Sequence, residues 1–127
     1  MHELCAAAEE YLKWIYRIQQ INQEVRSIDL AVYMGYSRAS ICTGIQKLEK
    51  RRLLHKDERG ILHLSEEGLQ IAKQFNERHQ ILTEILVEMG VSEEVAVADA
   101  CKLEHVLSKE SWSCLKKYFL ERRMIHG

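Results

Sequence analysis

The segment Cys101-Lys102-Leu103-Glu104-His105 sets a thiol, a carboxylate and an imidazole at i, i+3 and i+4. On a helix that spacing projects all three side chains from one face. They are three donor types that first-row transition metals accept. His79 lies in an earlier helical stretch that the short turn at Gly90 is expected to fold back antiparallel, which would bring a second imidazole to the same region. Taken singly, each residue has a plainer reading. His79 and His105 would be hydrogen-bonded structural histidines, Glu104 a surface carboxylate, and Cys101 a small core residue. A different chemistry is suggested by residues 38–59, where seven basic side chains (Arg38, Lys47, Lys50, Arg51, Arg52, Lys56 and Arg59) face three acidic ones (Glu49, Asp57 and Glu58). A local basic patch on a chain of net charge −1 suits contact with phosphates, although a solvated helix end would look the same.

The elements that must position these groups follow from periodicity. Residues 4–22 carry Leu4, Ala7, Tyr11, Trp14, Ile15, Ile18 and Ile21 at helical spacing. Ser27 is expected to cap a short helix through Met34, with Gly35 as its stop. After the turn Gly35-Tyr36-Ser37 a further helix begins near Arg38, burying Ile41, Ile45 and Leu48. Leu53–Lys56 and Ile61–Leu64 flank Asp57-Glu58-Arg59-Gly60, which reads as a β-hairpin. A long helix then turns Leu69, Ala72, Phe75, Leu82, Ile85, Leu86 and Met89 inward. A helix from Ser92 to about Leu107 and an amphipathic helix over about 110–123 complete the chain.

Helix, helix, Gly turn, helix and hairpin is the winged helix-turn-helix order, and with the downstream helices it predicts a mainly α protein. The second helix of the pair must be apolar where it docks and short or polar where it enters a groove. Ser37, Arg38, Ala39, Ser40 and Thr43 at its start, with Lys47 further along, are the expected DNA-facing residues, and Lys56 and Arg59 of the wing suit the backbone. The same order also serves as a protein-binding scaffold.

Composition excludes several classes. Apolar residues make up 46% and Pro is absent, which argues against disorder and against a β-sandwich. No apolar run reaches the roughly 18 residues of a membrane span, and the start lacks a basic segment followed by an apolar block, so a soluble cytoplasmic protein is expected. Cys5, Cys42, Cys101 and Cys114 are too scattered for a disulfide framework or zinc knuckle, and Cys5, Cys42 and Cys114 are expected to be buried structural residues. There is no HExxH, nucleophile elbow or Gly-rich phosphate loop, so neither catalysis nor a small organic substrate is expected.

Glu10-Tyr11-Leu12-(x)2-Ile15-Tyr16, Ser40-Ile41-(x)3-Ile45-Gln46-Lys47-Leu48-Glu49-Lys50, Leu64-(x)3-Gly68, Arg78-His79 and Cys101-(x)2-Glu104-His105-(x)-Leu107-Ser108 together resemble the diphtheria-toxin-repressor/manganese-transport-regulator family. The resemblance covers nearly the whole chain, with the motifs in the family's order, and is to the shorter two-domain architecture. It implies a winged-helix DNA-binding domain over 1–64 and a helical metal-binding and dimerisation domain over 65–127. It also implies a metal site between them, double-stranded operator DNA as partner, and a homodimer.

Carried over residue by residue, the resemblance makes Glu10, Cys101, Glu104 and His105 ligands, with His79 adjacent or ligating and Glu9 as the fallback for Glu10. Lys13 stands where the manganese branch has a Glu that helps bind a second ion, and Thr83 and Val97 replace ancillary ligands of the iron branch. One ion is therefore expected. The thiolate favours Fe(II) over Mn(II), with Zn(II), Co(II) or Ni(II) able to bind in vitro. The function implied is a metal-dependent repressor of metal-uptake or metal-homeostasis genes; the alternative is a metal-independent winged-helix regulator with a vestigial site.

Overall fold

The computed structural model describes residues 4–126. Its elements in chain order are α1 (Ala6–Asn22), α2 (Ser27–Met34), α3 (Arg38–Lys50), β1 (Leu54–Lys56), β2 (Leu62–Leu64), α4 (Glu66–Glu88), α5 (Glu93–Val106) and α6 (Lys109–His126). Two compact units divide inside α4, between Asn76 and Glu77.

In the first unit, α1, α2 and α3 enclose a core of Leu12, Ile15, Ile18, Leu30, Ile41, Ile45 and Leu48. Leu54 and Leu62 of the hairpin, with Ile71, Ala72 and Phe75 of α4, extend the same core. The wing is a two-stranded antiparallel pair with Leu54 opposite Leu64, His55 opposite His63 and Lys56 opposite Leu62. Because strand residues alternate sides, the leucines go inward and the histidine pair outward. Gly35 ends α2 at φ 71° and Gly60 turns the hairpin at φ 82°, left-handed conformations that glycine adopts without a Cβ penalty.

The start of α2 differs from expectation. Ser27 is its first helical residue rather than its cap. The end is closed instead by Asp29, whose Oδ2 accepts the Arg26 backbone N–H at 2.8 Å. Three residues into the helix, a carboxylate reaches back more readily than the short hydroxyl at position 27.

Docking of α3 onto α1 depends on one close approach. A Cβ built at Gly44 would enter the ring of Tyr11, and Tyr11 is itself buried with its hydroxyl donating to the Ser40 carbonyl at 3.3 Å. Gly68 has the same role at the start of α4, where a Cβ would meet the Leu53 carbonyl. That contact gives a physical reason for glycine in the Leu64-(x)3-Gly68 junction.

In the second unit, the C-terminal part of α4 packs with α5 and α6 around Ile81, Leu82, Ala100, Trp112 and Phe119. Lys116 donates to Glu77 at 2.7 Å, and Arg123 donates to Glu84 and Glu88 at 3.0 and 3.1 Å. These pairs run in the same order along both helices, so α6 lies parallel to α4. Met89, expected inward, is 74% exposed, because α4 ends at Glu88 and the chain turns at Gly90. Cys5, Cys42 and Cys114 are exposed rather than buried. Cys5 precedes α1, Cys42 points away from the Ile41/Ile45/Leu48 stripe, and Cys114 lies off the Trp112/Phe119 stripe. No helix among the described residues is long and apolar enough to cross a membrane.

Gly44→Ala should destabilise the first unit by about 1–3 kcal/mol, the usual scale for forcing a methyl into a packed core. Chemical denaturation followed by circular dichroism measures it; an unchanged midpoint would show that Tyr11 swings aside freely.

Candidate metal centre and DNA-reading surface

The second unit assembles four of the expected ligands. His79 comes from α4; Cys101, Glu104 and His105 come from α5. One donor atom each from His79, Cys101 and Glu104 lie within 4.8 Å of one another. His79 Nδ1 is 3.4 Å from Glu104 Oε2, and His105 Nε2 is 3.2 Å from Glu104 Oε1. Cys101 Sγ is 3.7 Å from His79 Nδ1. Glu104 has no solvent exposure, and the side chains of His79 and His105 are nearly as buried. A buried carboxylate between two imidazoles, with a thiol beside it, is a mixed O/N/S donor set of the kind divalent iron, manganese, cobalt and zinc accept, so these residues fit a divalent ion.

Arg78 supplies what the sequence reading left without a role. Its Nη1 donates to the carbonyls of Glu104 at 2.9 Å and Leu107 at 3.1 Å, and its guanidinium lies 5.5 Å from the Trp112 ring centroid. The last carbonyls of α5 have no intrahelical partners. One buried cation from α4 satisfies them and thereby fixes the turn that carries Glu104 and His105. The only sequence signal was its adjacency to His79.

In the first unit, Glu10 sits on α1. Its Oε1 is 2.7 Å from Lys13 Nζ, and its Oε2 accepts from Trp14 Nε1 at 3.1 Å. Lys13 has no solvent exposure, so the expected replacement of an acidic residue places a fixed ammonium against this carboxylate. Glu9 is half-buried on the same helix. Thr83 and Val97 offer neither carboxylate nor imidazole.

The expected DNA-facing residues Ser37, Arg38, Ala39, Ser40, Thr43 and Lys47 are all exposed on or beside α3, while Ile41, Ile45 and Leu48 on its other side are buried. Ser37 caps the helix, its Oγ accepting the Ser40 N–H at 3.1 Å. Thr43 donates its hydroxyl to the Ala39 carbonyl at 3.0 Å. Cys42 and Gln46 share the exposed side, which the reading of Cys42 as a core residue missed. On the wing, Lys56 and Arg59 are exposed, and Arg59 pairs with Glu24 at 3.5 Å.

Two family models match the chain, and they divide it before α4 rather than within it. Residues 3–62 match the model of the iron dependent repressor N-terminal DNA binding domain. Residues 65–123 match that of the iron dependent repressor metal binding and dimerisation domain. An uncharacterised HTH-type transcriptional regulator of Methanocaldococcus jannaschii is 31% identical over 116 residues, covering 90% of this chain and 92% of that one. The HTH-type transcriptional regulator MntR of Bacillus subtilis is 32% identical over 104 residues, covering 81% and 72%. Among solved structures, a manganese-dependent transcriptional repressor in complex with manganese superposes with a TM-score of 0.80 at 28% identity, covering 88% of this chain and 52% of its own. The chain thus spans about half the length of that solved relative.

Arg78→Lys keeps the charge but loses the planar fork that reaches two carbonyls. It should weaken binding of a divalent ion by about 10–100-fold, the usual effect of removing a group that orients a ligand. Isothermal titration with Mn(II) checks this; unchanged affinity would mean that α5 holds its ligands without the clamp. With matched models over both halves, the chain belongs to the iron-dependent repressor family, as a DNA-binding domain followed by a metal-binding and dimerisation domain.

Proposed function

We propose that this protein is a dimeric transcriptional repressor whose grip on operator DNA is strengthened by a single divalent ion, Fe(II) or Mn(II), and that it controls metal-uptake or metal-homeostasis genes in the cytoplasm without catalysing a reaction. The observation that carries the reading is the buried Glu104 carboxylate between His79 and His105, with the Cys101 thiol alongside, in a chain that also presents a capped, exposed reading helix.

His79, Cys101, Glu104 and His105 would hold the ion, and Glu10 joins them on the sequence resemblance alone. When bound, the ion supplies positive charge that offsets the buried carboxylate and thiolate. Cys101 favours iron, whereas the titles of several solved relatives name manganese. Lys13, holding Glu10 at 2.7 Å, supports one ion rather than two, since a fixed ammonium repels a second cation. Residues 1–64 are assigned to DNA and 65–127 to metal and dimerisation. Exposed Val87, Met89, Tyr118 and Leu120 give the second unit apolar surface for a partner copy.

Each part of the chain has a defined task in this reading. Arg38, Ser40 and Thr43 meet base edges, while Ser37, Lys47, Lys56 and Arg59 meet phosphate. A two-fold operator asks for reading helices roughly 34 Å apart. Since α3 is already docked and capped, the ion need only favour the dimer geometry that meets this spacing, a coupling typically of about 1–3 kcal/mol.

A gel shift on a palindromic operator with Mn(II) or Fe(II), with and without chelator, tests the proposal. Glu104→Ala and His105→Ala should fold, shown by circular dichroism, yet lose the metal-stimulated part of binding, about 5–150-fold. Full metal response in both variants would refute the ligand assignment. Equal binding with and without chelator in the wild type would leave a metal-independent regulator.

A further inference from the structure

The outer side of the wing carries a group of side chains that neither the metal centre nor α3 uses. His55 and His63 face each other across the hairpin, their rings stacked at 4.9 Å between centroids and 20° between planes. His63 Nε2 is 2.7 Å from Asp57 Oδ2, and both side chains are partly exposed. Asp57 is held in place by the wing's own backbone, its Oδ1 accepting from the N–H groups of Arg59 at 2.8 Å and Ile61 at 3.0 Å.

We propose that this imidazole pair is a proton-dependent phosphate contact, so that the wing takes up a proton as it docks on duplex DNA. The inference rests on the DNA-binding reading above and adds two residues to it. The reasoning is electrostatic. Imidazole is the side chain whose charge changes near neutral pH. A positive charge on the His63 ring is balanced by the Asp57 carboxylate 2.7 Å away. A second proton would put two like charges on stacked rings, which is unfavourable in free protein. A DNA phosphate beside His55 supplies the missing negative charge, so binding and protonation favour each other by linkage.

Asp57 remains ionised throughout, because the hydrogen bond from His63 and those from the Ile61 and Arg59 N–H groups draw its carboxyl down to about 2. The other charged groups around the strand pair are Lys56, Glu58 and Arg59 on the hairpin, Arg26, whose Nε donates to the Arg59 carbonyl at 3.4 Å, Glu49 of α3, whose Oε2 accepts the Lys56 N–H at 3.3 Å, and Glu24, which pairs with Arg59. Leu54, Leu62 and Leu64 lie on the other side of the hairpin from the histidine pair.

The test uses Mn(II)-saturated protein and a mixed-sequence duplex about three helical turns long, since phosphate contacts do not depend on sequence. Binding is followed by fluorescence anisotropy from about pH 8 to about pH 6 at fixed ionic strength, over the range where imidazole titrates. Wild-type affinity should rise by up to about tenfold per unit fall in pH, the limit for one linked proton. Calorimetry in two buffers of different ionisation enthalpy should show net proton uptake.

His55→Gln leaves the His63–Asp57 pair intact. It should flatten the pH dependence, abolish the uptake and lower the salt slope by about 0.9 at the acid end, while still binding the duplex at pH 8. Full pH dependence and uptake in His55→Gln would overturn the proposal. Failure of both proteins to bind duplex at any pH would instead overturn the DNA-binding reading and this inference with it.

Discussion

A carboxylate with no access to water is the constraint from which the second unit is best understood. Glu104 lies between the imidazoles of His79 and His105, at 3.4 and 3.2 Å. Burying an ionised carboxylate is unfavourable by several kcal/mol unless opposite charge and hydrogen bonds compensate. Here the compensation takes the form of groups that are also metal donors, so the arrangement that makes the carboxylate tolerable is the one that makes it a ligand. Arg78 adds to this without spending its Nη1 on a side chain, since that atom binds the Glu104 and Leu107 carbonyls. The cation braces the backbone while the carboxylate is left facing nitrogen and sulfur.

The first unit handles charge in the opposite way. At Glu10 the partner is a lysine of the same helix, 2.7 Å away and wholly buried. A tethered ammonium costs no binding entropy and cannot diffuse off, so it acts as a permanent counter-ion beside this carboxylate. The two acids are therefore not equivalent. One lies between two imidazoles with a thiol alongside, and the other has an ammonium in contact.

Local signals in the sequence carried the fold well. Gly35 and Gly60 sit at positive φ where the pattern placed turns. The buried stripe of α3 is Ile41, Ile45 and Leu48 as periodicity indicates, and the i, i+3, i+4 spacing on α5 does bring Glu104 and His105 together with Cys101 on one side. What was illegible depended on partners distant in the chain. Nothing near Arg78 says that its guanidinium will reach residues 26 and 29 positions away. Nothing near Lys13 says that an ammonium will be buried. The exposed cysteines illustrate the limit of residue-type averages, because Cys42 is one residue off a buried stripe and the small apolar character of its thiol has no bearing on which way it points.

The two units also differ in what holds their functional residues still, and that difference constrains how a signal can be used. In α3 the reading residues are fixed by contacts that need no ligand: a serine cap at 3.1 Å, the Tyr11–Ser40 hydrogen bond, and a glycine that admits Tyr11 against the helix. A surface already formed cannot be switched on by creating it. Any ligand that modulates DNA affinity in such a protein must act on a quantity other than the shape of α3, and only to the extent that it binds two states unequally. The spacing of two such helices in a dimer is a quantity of that kind. It can be biased by a modest coupling energy precisely because neither reading surface has to be rebuilt.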